Sequence, residues 1–132
     1  MSQENVDLAR KMIAWFNAGD MAAAQAHSTD DVEIVPMRAA MEGTSYRGPG
    51  AFAAFGLATE EAWEEIRFEP EALHDGGEQV VVIGELSARG RGTGAAVSAR
   101  TAMLFEFRGG RLQRGQSYSD IEKALEAAGL QA

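Results

Sequence analysis

The chain's two histidines, His27 and His74, lie far apart in a sequence that has no cysteine at all. Disulfides, thiolate nucleophiles and sulfur-ligated metals are therefore excluded. The histidines have no ligand-type spacing, so no metal site is expected. His27 falls at the end of a helical pattern, and His74 directly precedes an Asp75-Gly76 turn. Both read as capping or solvated groups rather than acid–base catalysts. Glu85 and Arg100 fall on successive strand-like runs and read as a cross-strand ion pair on a sheet face. The glycine-rich run Gly90–Gly94 is not a phosphate loop, because it lacks the lysine and joins strand to strand. Tyr46 and Arg47 are left as candidates for binding a polar substituent. No cofactor is implied by any of these groups.

These side chains must be positioned by elements that the hydropathy pattern outlines. Val6, Ala9, Met12, Ile13 and Phe16 recur at three- and four-residue intervals, which predicts a helix closed by Gly19. Asp20 caps a second, alanine-rich helix from Met21 to about His27, and the two form a hairpin. Val32 to Pro36 reads as a short strand, and residues 37–47 as a loop. Gly48-Pro49 predicts a helix start with proline in the first helical position and Phe52, Phe55 and Leu57 on the apolar face. From Trp63 onward the period is that of strands. Asp75-Gly76-Gly77 marks a turn; Val80–Arg89, Val97–Phe107 and Leu112–Tyr118 are strands. Arg108-Gly109-Gly110 predicts a three-residue hairpin loop with a bulge. Asp120 caps a last helix, Ile121–Ala128, stopped by Gly129.

At 132 residues the chain fits one domain, residues 1–132, with 45% hydrophobic and 24% charged residues, an ordinary globular balance. No apolar run approaches the ~20 residues of a membrane span, and no signal-peptide core follows the polar N-terminus. A cytoplasmic location is the expectation, with no membrane partner. The net charge of −8 disfavours nucleic acid as a partner.

The motifs "FNAGD" (Phe16–Asp20), "DDVE" (Asp30–Glu33), "YRGPGAF" (Tyr46–Phe52), "FRGGRL" (Phe107–Leu112) and "SYSDIEKALEAAGL" (Ser117–Leu130) appear in an order that resembles the nuclear-transport-factor-2-like superfamily, in its SnoaL-like branch. The resemblance spans essentially the whole chain. It implies an α+β fold: a cone-shaped, curved antiparallel sheet wrapped by three N-terminal helices, with a short C-terminal helix. The cone's interior would lie between the helices and the concave sheet face. Such a fold hosts isomerases, cyclases, hydrolases and binding modules, so it does not fix function.

Strand faces follow from the hairpin. With the bulged loop at 108–110, Phe105 falls opposite Gln113, Met103 opposite Gly115, and Thr101 opposite Ser117. Those six form one cavity wall; Met12, Trp15, Val35, Phe52, Phe55 and Trp63 supply the rest. Tryptophan is expected to border the cavity because its N–H needs a partner. The other face carries Arg100, Ala102, Leu104, Arg114, Gln116 and Tyr118, a row too apolar for a bare sheet surface. It predicts a homodimer, with Arg100 and Arg114 pairing to Glu85 and Glu106.

The resemblance also allows the chemistry of relatives to be tested position by position. Ketosteroid isomerases of the superfamily need a carboxylate base and two proton donors. The corresponding positions here are Met12, Val35 and Met103, none of which moves a proton. The final aspartate of the epoxide-hydrolase motif falls on Ser117. Two readings follow. One is a binding module for a small apolar or aromatic metabolite. The other is a lyase, cyclase or isomerase acting on a polyketide- or terpenoid-like substrate, helped by Ser117, Tyr118, Gln113 or bound water.

Overall fold

A computed structural model describes residues 2–37 and 43–130. The first helix, α1, spans Ser2–Ala18, and Gly19 ends it in the left-handed region at φ 74°. The Asp20 side chain then accepts a hydrogen bond from the Ala23 N–H (3.1 Å) and caps α2, Met21–Ala26. Strand β1, Ser28–Val35, begins four residues earlier than the apolar pattern suggests and is paired to a two-residue strand β2, Tyr46–Arg47. Residues 38–42 of the expected loop lie outside the described residues.

Helix α3 covers Ala51–Ala62, so Pro49 precedes the helix rather than opening it. Its N-cap, Gly50, has no side chain to offer, and Gln25 of α2 takes over that role. The Gln25 Oε1 accepts from the Phe52 N–H (3.0 Å), while its amide donates to the Gly48 carbonyl (3.2 Å). Phe52 and Phe55 point inward as expected. Leu57 does not: it is 62% exposed. Five residues beyond Phe52, it is rotated about 140° away around the helix.

Four long strands follow: β3 Trp63–Asp75, β4 Gln79–Gly90, β5 Ala96–Arg108 and β6 Arg111–Tyr118. The sheet order is β2-β1-β6-β5-β4-β3. The sheet is mixed rather than wholly antiparallel, because β1 runs parallel to β6. These two strands are separated by most of the chain, so no hairpin obliges them to oppose. β3 is an edge strand, where Pro70 is tolerated. Its free edge is held by Asn17 of α1, whose amide donates to the Phe68 carbonyl and accepts from the Phe68 N–H, both at 2.9 Å.

The hairpin between β5 and β6 corrects the expected register. Gly109 and Gly110 both have positive φ (59° and 78°), which makes a two-residue type I′ turn between Arg108 and Arg111. The irregularity falls inside β6, between the pairs Glu106–Arg114 and Phe107–Leu112, leaving Gln113 without a partner. Phe105 therefore faces Gly115, and Met103 faces Ser117. On the outer face Leu104 pairs with Gln116 and Ala102 with Tyr118.

The last helix, α4, spans Ile121–Ala127 behind the Asp120 cap. Its Ala124 and Leu125 pack on Val81, Ile83, Ala102 and Leu104. This is the apolar row that predicted a dimer, and the chain covers it with its own helix. What lies beyond α4 on that face is ionic. Arg114 bonds Glu33 (3.1 Å) and Glu106 (3.3 Å), and Arg100 turns to Glu71 (3.0 Å) although its register partner is Glu85.

Candidate ligand cavity

The inner sheet face and helices α1 and α3 do not close on one another. They leave a cavity of about 770 Å³ that opens to solvent. Met12 and Phe16 of α1 form one wall, and Phe52, Phe55, Ala58 and Ala62 of α3 another. Trp63 and Ile66 continue it at the start of β3, and Leu86 on β4. The sheet wall is Thr101, Met103 and Phe105 of β5 with Leu112, Gly115 and Ser117 of β6. Aromatic contacts stiffen the lining: Phe16 and Phe55 stack at 6.1 Å, and Tyr46 meets Phe55 edge-on at 5.9 Å.

Ten of the twelve residues expected in the wall line this cavity: Met12, Val35, Phe52, Phe55, Trp63, Thr101, Met103, Phe105, Gly115 and Ser117. Two do not. Trp15 lies against the His27 ring (4.8 Å), one step around α1 from Phe16, which takes the lining position. Gln113 is the unpaired residue of the β6 irregularity and lies outside the wall. Val35 reaches the cavity, but Ile34 is the residue in register with Gly115, and it is the more buried of the two. The sequence reasoning missed Phe16, Ile34 and Leu112. The helical period already contained Phe16, and a two-residue turn would have placed Leu112 beside Phe107.

The other chemical groups lie elsewhere. His27 caps α2, its Nδ1 within 2.9 Å of the Ala23 carbonyl. His74 sits on β3 and Tyr118 under α4. Among the described residues no three histidine or acidic side chains gather as a metal site. Among the described residues, the outer-face cluster of Glu33, Arg47, Arg114 and Glu106 is the one place where more than two charged side chains bond together. Partial burial pushes the Glu33 carboxyl up, but hydrogen bonds from Ser45 and Arg114 and the charges of Arg47 and Arg114 outweigh it. The net result lies below the ordinary value of 4.5. This cluster is on the opposite side of the sheet from the cavity and braces β1, β2, β5 and β6. Arg47 thus pairs with Glu33 (3.2 Å), while Tyr46 lines the cavity.

Helices folded over one face of a six-stranded sheet, with an apolar cavity between them, define a nuclear-transport-factor-2-like protein. The SnoaL-like domain matches residues 9–115, and the chain belongs to that family. Solved structures agree on the fold. An NTF2-like protein from Burkholderia xenovorans is 25% identical, with 97% of each chain covered and a TM-score of 0.76. TerC, co-crystallized with polyporic acid, is 19% identical over 96% of this chain and 98% of its own, with a TM-score of 0.76. A candidate polyketide cyclase from Xanthomonas campestris is 19% identical over 96% and 97%, with a TM-score of 0.75. No curated protein matches the chain.

Proposed function

We propose that the chain is a binding module whose cavity holds a small, largely apolar or aromatic metabolite. The observation that carries this is the cavity: about 770 Å³, walled mostly by aromatic, aliphatic and methionine side chains. That volume is in the range that encloses a drug-sized ligand. TerC, a structural relative, was crystallised with polyporic acid. At the positions where related isomerases move protons stand Met12, Val35 and Met103, and all three line the cavity. A native mass spectrum of freshly purified protein tests the proposal. A retained small molecule supports it; ligand-free protein that also takes up no apolar dye refutes it.

The likeness to a candidate polyketide cyclase favours a second reading, an enzyme acting on a polyketide- or terpenoid-like substrate. Of the helpers named for it, Ser117 lines the cavity, whereas Tyr118 and Gln113 do not. Product formed from such a substrate, and lost in Ser117→Ala, would establish this reading over the first.

The homodimer and the cytoplasmic location belong to the same proposal. Since α4 covers Ala102 and Leu104, a second copy would meet the ionic strip around Arg100 and Glu71. Light scattering at twice the 14.1 kDa chain mass, falling to one chain in high salt, is the expected result. Fractionation of cells expressing the full chain tests its location.

A further inference from the structure

The kind of ligand is marked by the few polar groups that interrupt the cavity wall. Thr101 is only 2% exposed, yet its hydroxyl lies on the inner face of β5. Ser117 stands opposite Met103, which places it on the diagonal from Thr101 across the β5–β6 ladder. Such neighbours are about 7 Å apart between their Cα atoms. Two hydroxyls at that separation can converge on one ligand oxygen. Neither is committed to another described residue. Thr59 is, since its hydroxyl donates to the Phe55 carbonyl (2.8 Å).

Charge sets the second limit. Among the described lining residues, Glu61 carries the one charge, and it is exposed at the rim. No described arginine, lysine or histidine reaches the cavity. A carboxylate or phosphate entering it would lose its hydration with no cation among the described residues to replace it, next to a glutamate and on a protein of net charge −8.

We infer that Thr101 and Ser117 form the polar anchor of the cavity, and that the ligand is an uncharged, oxygen-bearing aromatic molecule whose carbonyl or hydroxyl oxygen they hold. This rests on the cavity being a ligand site, as proposed above. It adds which atoms orient the ligand and which charge class is refused. A hydroxyl can donate to a carbonyl or accept from a phenol, so the pair suits either oxygen.

Three matched probes test it by displacement of an apolar dye: acetylnaphthalene, ethylnaphthalene and naphthoate. Acetylnaphthalene is expected to bind about five-fold tighter than ethylnaphthalene, the scale of one net hydrogen bond. Naphthoate is expected to be at least ten-fold weaker than acetylnaphthalene. In Ser117→Ala, and in Thr101→Val with its near-identical shape, the ketone should lose part of its advantage over the hydrocarbon, and in the double variant all of it, while the hydrocarbon is unchanged. Naphthoate binding as tightly as the ketone, or variants that weaken both neutral probes equally, would overturn the anchor while leaving the cavity a ligand site. Failure of all three probes, ethylnaphthalene included, would overturn the cavity reading itself. Ser117→Ala keeps the test available if Thr101→Val fails to fold, because Ser117 is only partly buried.

Discussion

Residue 115 distinguishes an empty cavity from a packed core. Gly115 lies on the inner face of β6, opposite Phe105, and has no positive φ. A Cβ built there would meet the Leu112 Cδ2 and the Phe105 Cδ1 at 3.9 Å each, which is ordinary contact. Gly115→Ala is therefore accommodated, and the loss of unfolded-chain freedom should stabilise by about 0.4–1 kcal/mol. In a domain of this size that is roughly 2–4 °C in melting temperature. Gly115→Leu pushes a branched side chain further, into the space between the sheet wall and the helices. If that space is empty, the fold should tolerate it within about 1 kcal/mol, roughly 4 °C. If the space were filled, overpacking would cost about 1–3 kcal/mol or more. Circular-dichroism melts paired with titration of an apolar dye separate the two cases. The expected result is a near-wild-type melt for Gly115→Leu with at least ten-fold weaker dye binding. A melt lowered by about 10 °C with dye uptake unchanged would show that residue 115 faces core, and would refute the assignment of the sheet wall.

Gly84→Ala should be among the most damaging single changes, because its Cβ would overlap the Glu69 carbonyl and come within 2.9 Å of the Phe68 ring. Loss of more than about 3 kcal/mol by urea denaturation, or no folded protein, is expected. Asn17→Ala leaves the Phe68 N–H and carbonyl without partners on an edge strand, and denaturation should report a loss of about 1–3 kcal/mol. Glu33 has a folded-state pKa below its ordinary value, so its stabilisation is present above pH 4.5 and fades as pH falls below it. Glu33→Gln should be destabilised by about 1 kcal/mol or less at pH 7, and the gap to wild type should close in acid. A β,γ-unsaturated ketosteroid should not be isomerised above the buffer rate, since the positions that resemble the proton-moving groups of ketosteroid isomerases carry Met12, Val35 and Met103; a spectrophotometric assay decides.

The fold was legible in the sequence wherever period and punctuation agreed. The first two helices, their Gly19 and Asp20 boundary and the capped last helix all carry local signals that tertiary packing leaves intact. The hairpin register was less legible, for a local reason. Arg108-Gly109-Gly110 is compatible with either a two- or a three-residue loop, and nothing in Leu112-Gln113-Arg114 announces an unpaired residue. The turn is one residue shorter than expected, and Gln113 adds one more to β6. The two errors share a sign, so the register moved by two residues, and a shift of two preserves the face of every side chain. Gly115 and Ser117 thus stayed on the inner wall although their partners changed, whereas Gln113, at the irregularity, did not.

The apolar outer row shows a different limit. Leu104 and Ala102 are buried on the side of the sheet away from the cavity, and the pattern of β5 states only that something covers them. It does not say whether the cover is another chain or the same one. The nearest unassigned apolar surface was α4, with Ile121 and Leu125 on one face and Ala128 following at its C-cap. A short amphipathic helix directly after the last strand can reach back over it, as α4 does through Ala124 and Leu125. The cavity poses the converse problem. Phe52, Phe55, Met103 and Phe105 bear the same side chains whether they touch one another or face a void. Alternation assigns them to a face, and only the distance between the α1–α3 layer and the sheet decides whether that face is filled. The covering helices are held in place by Gln25, which binds the N-terminus of α3 to α2, and by Asn17, which binds α1 to the edge of β3. Both are single amides in otherwise unremarkable helical segments. Their role depends on backbone groups brought near by the fold, which is why the cavity's walls could be read from sequence more readily than its emptiness.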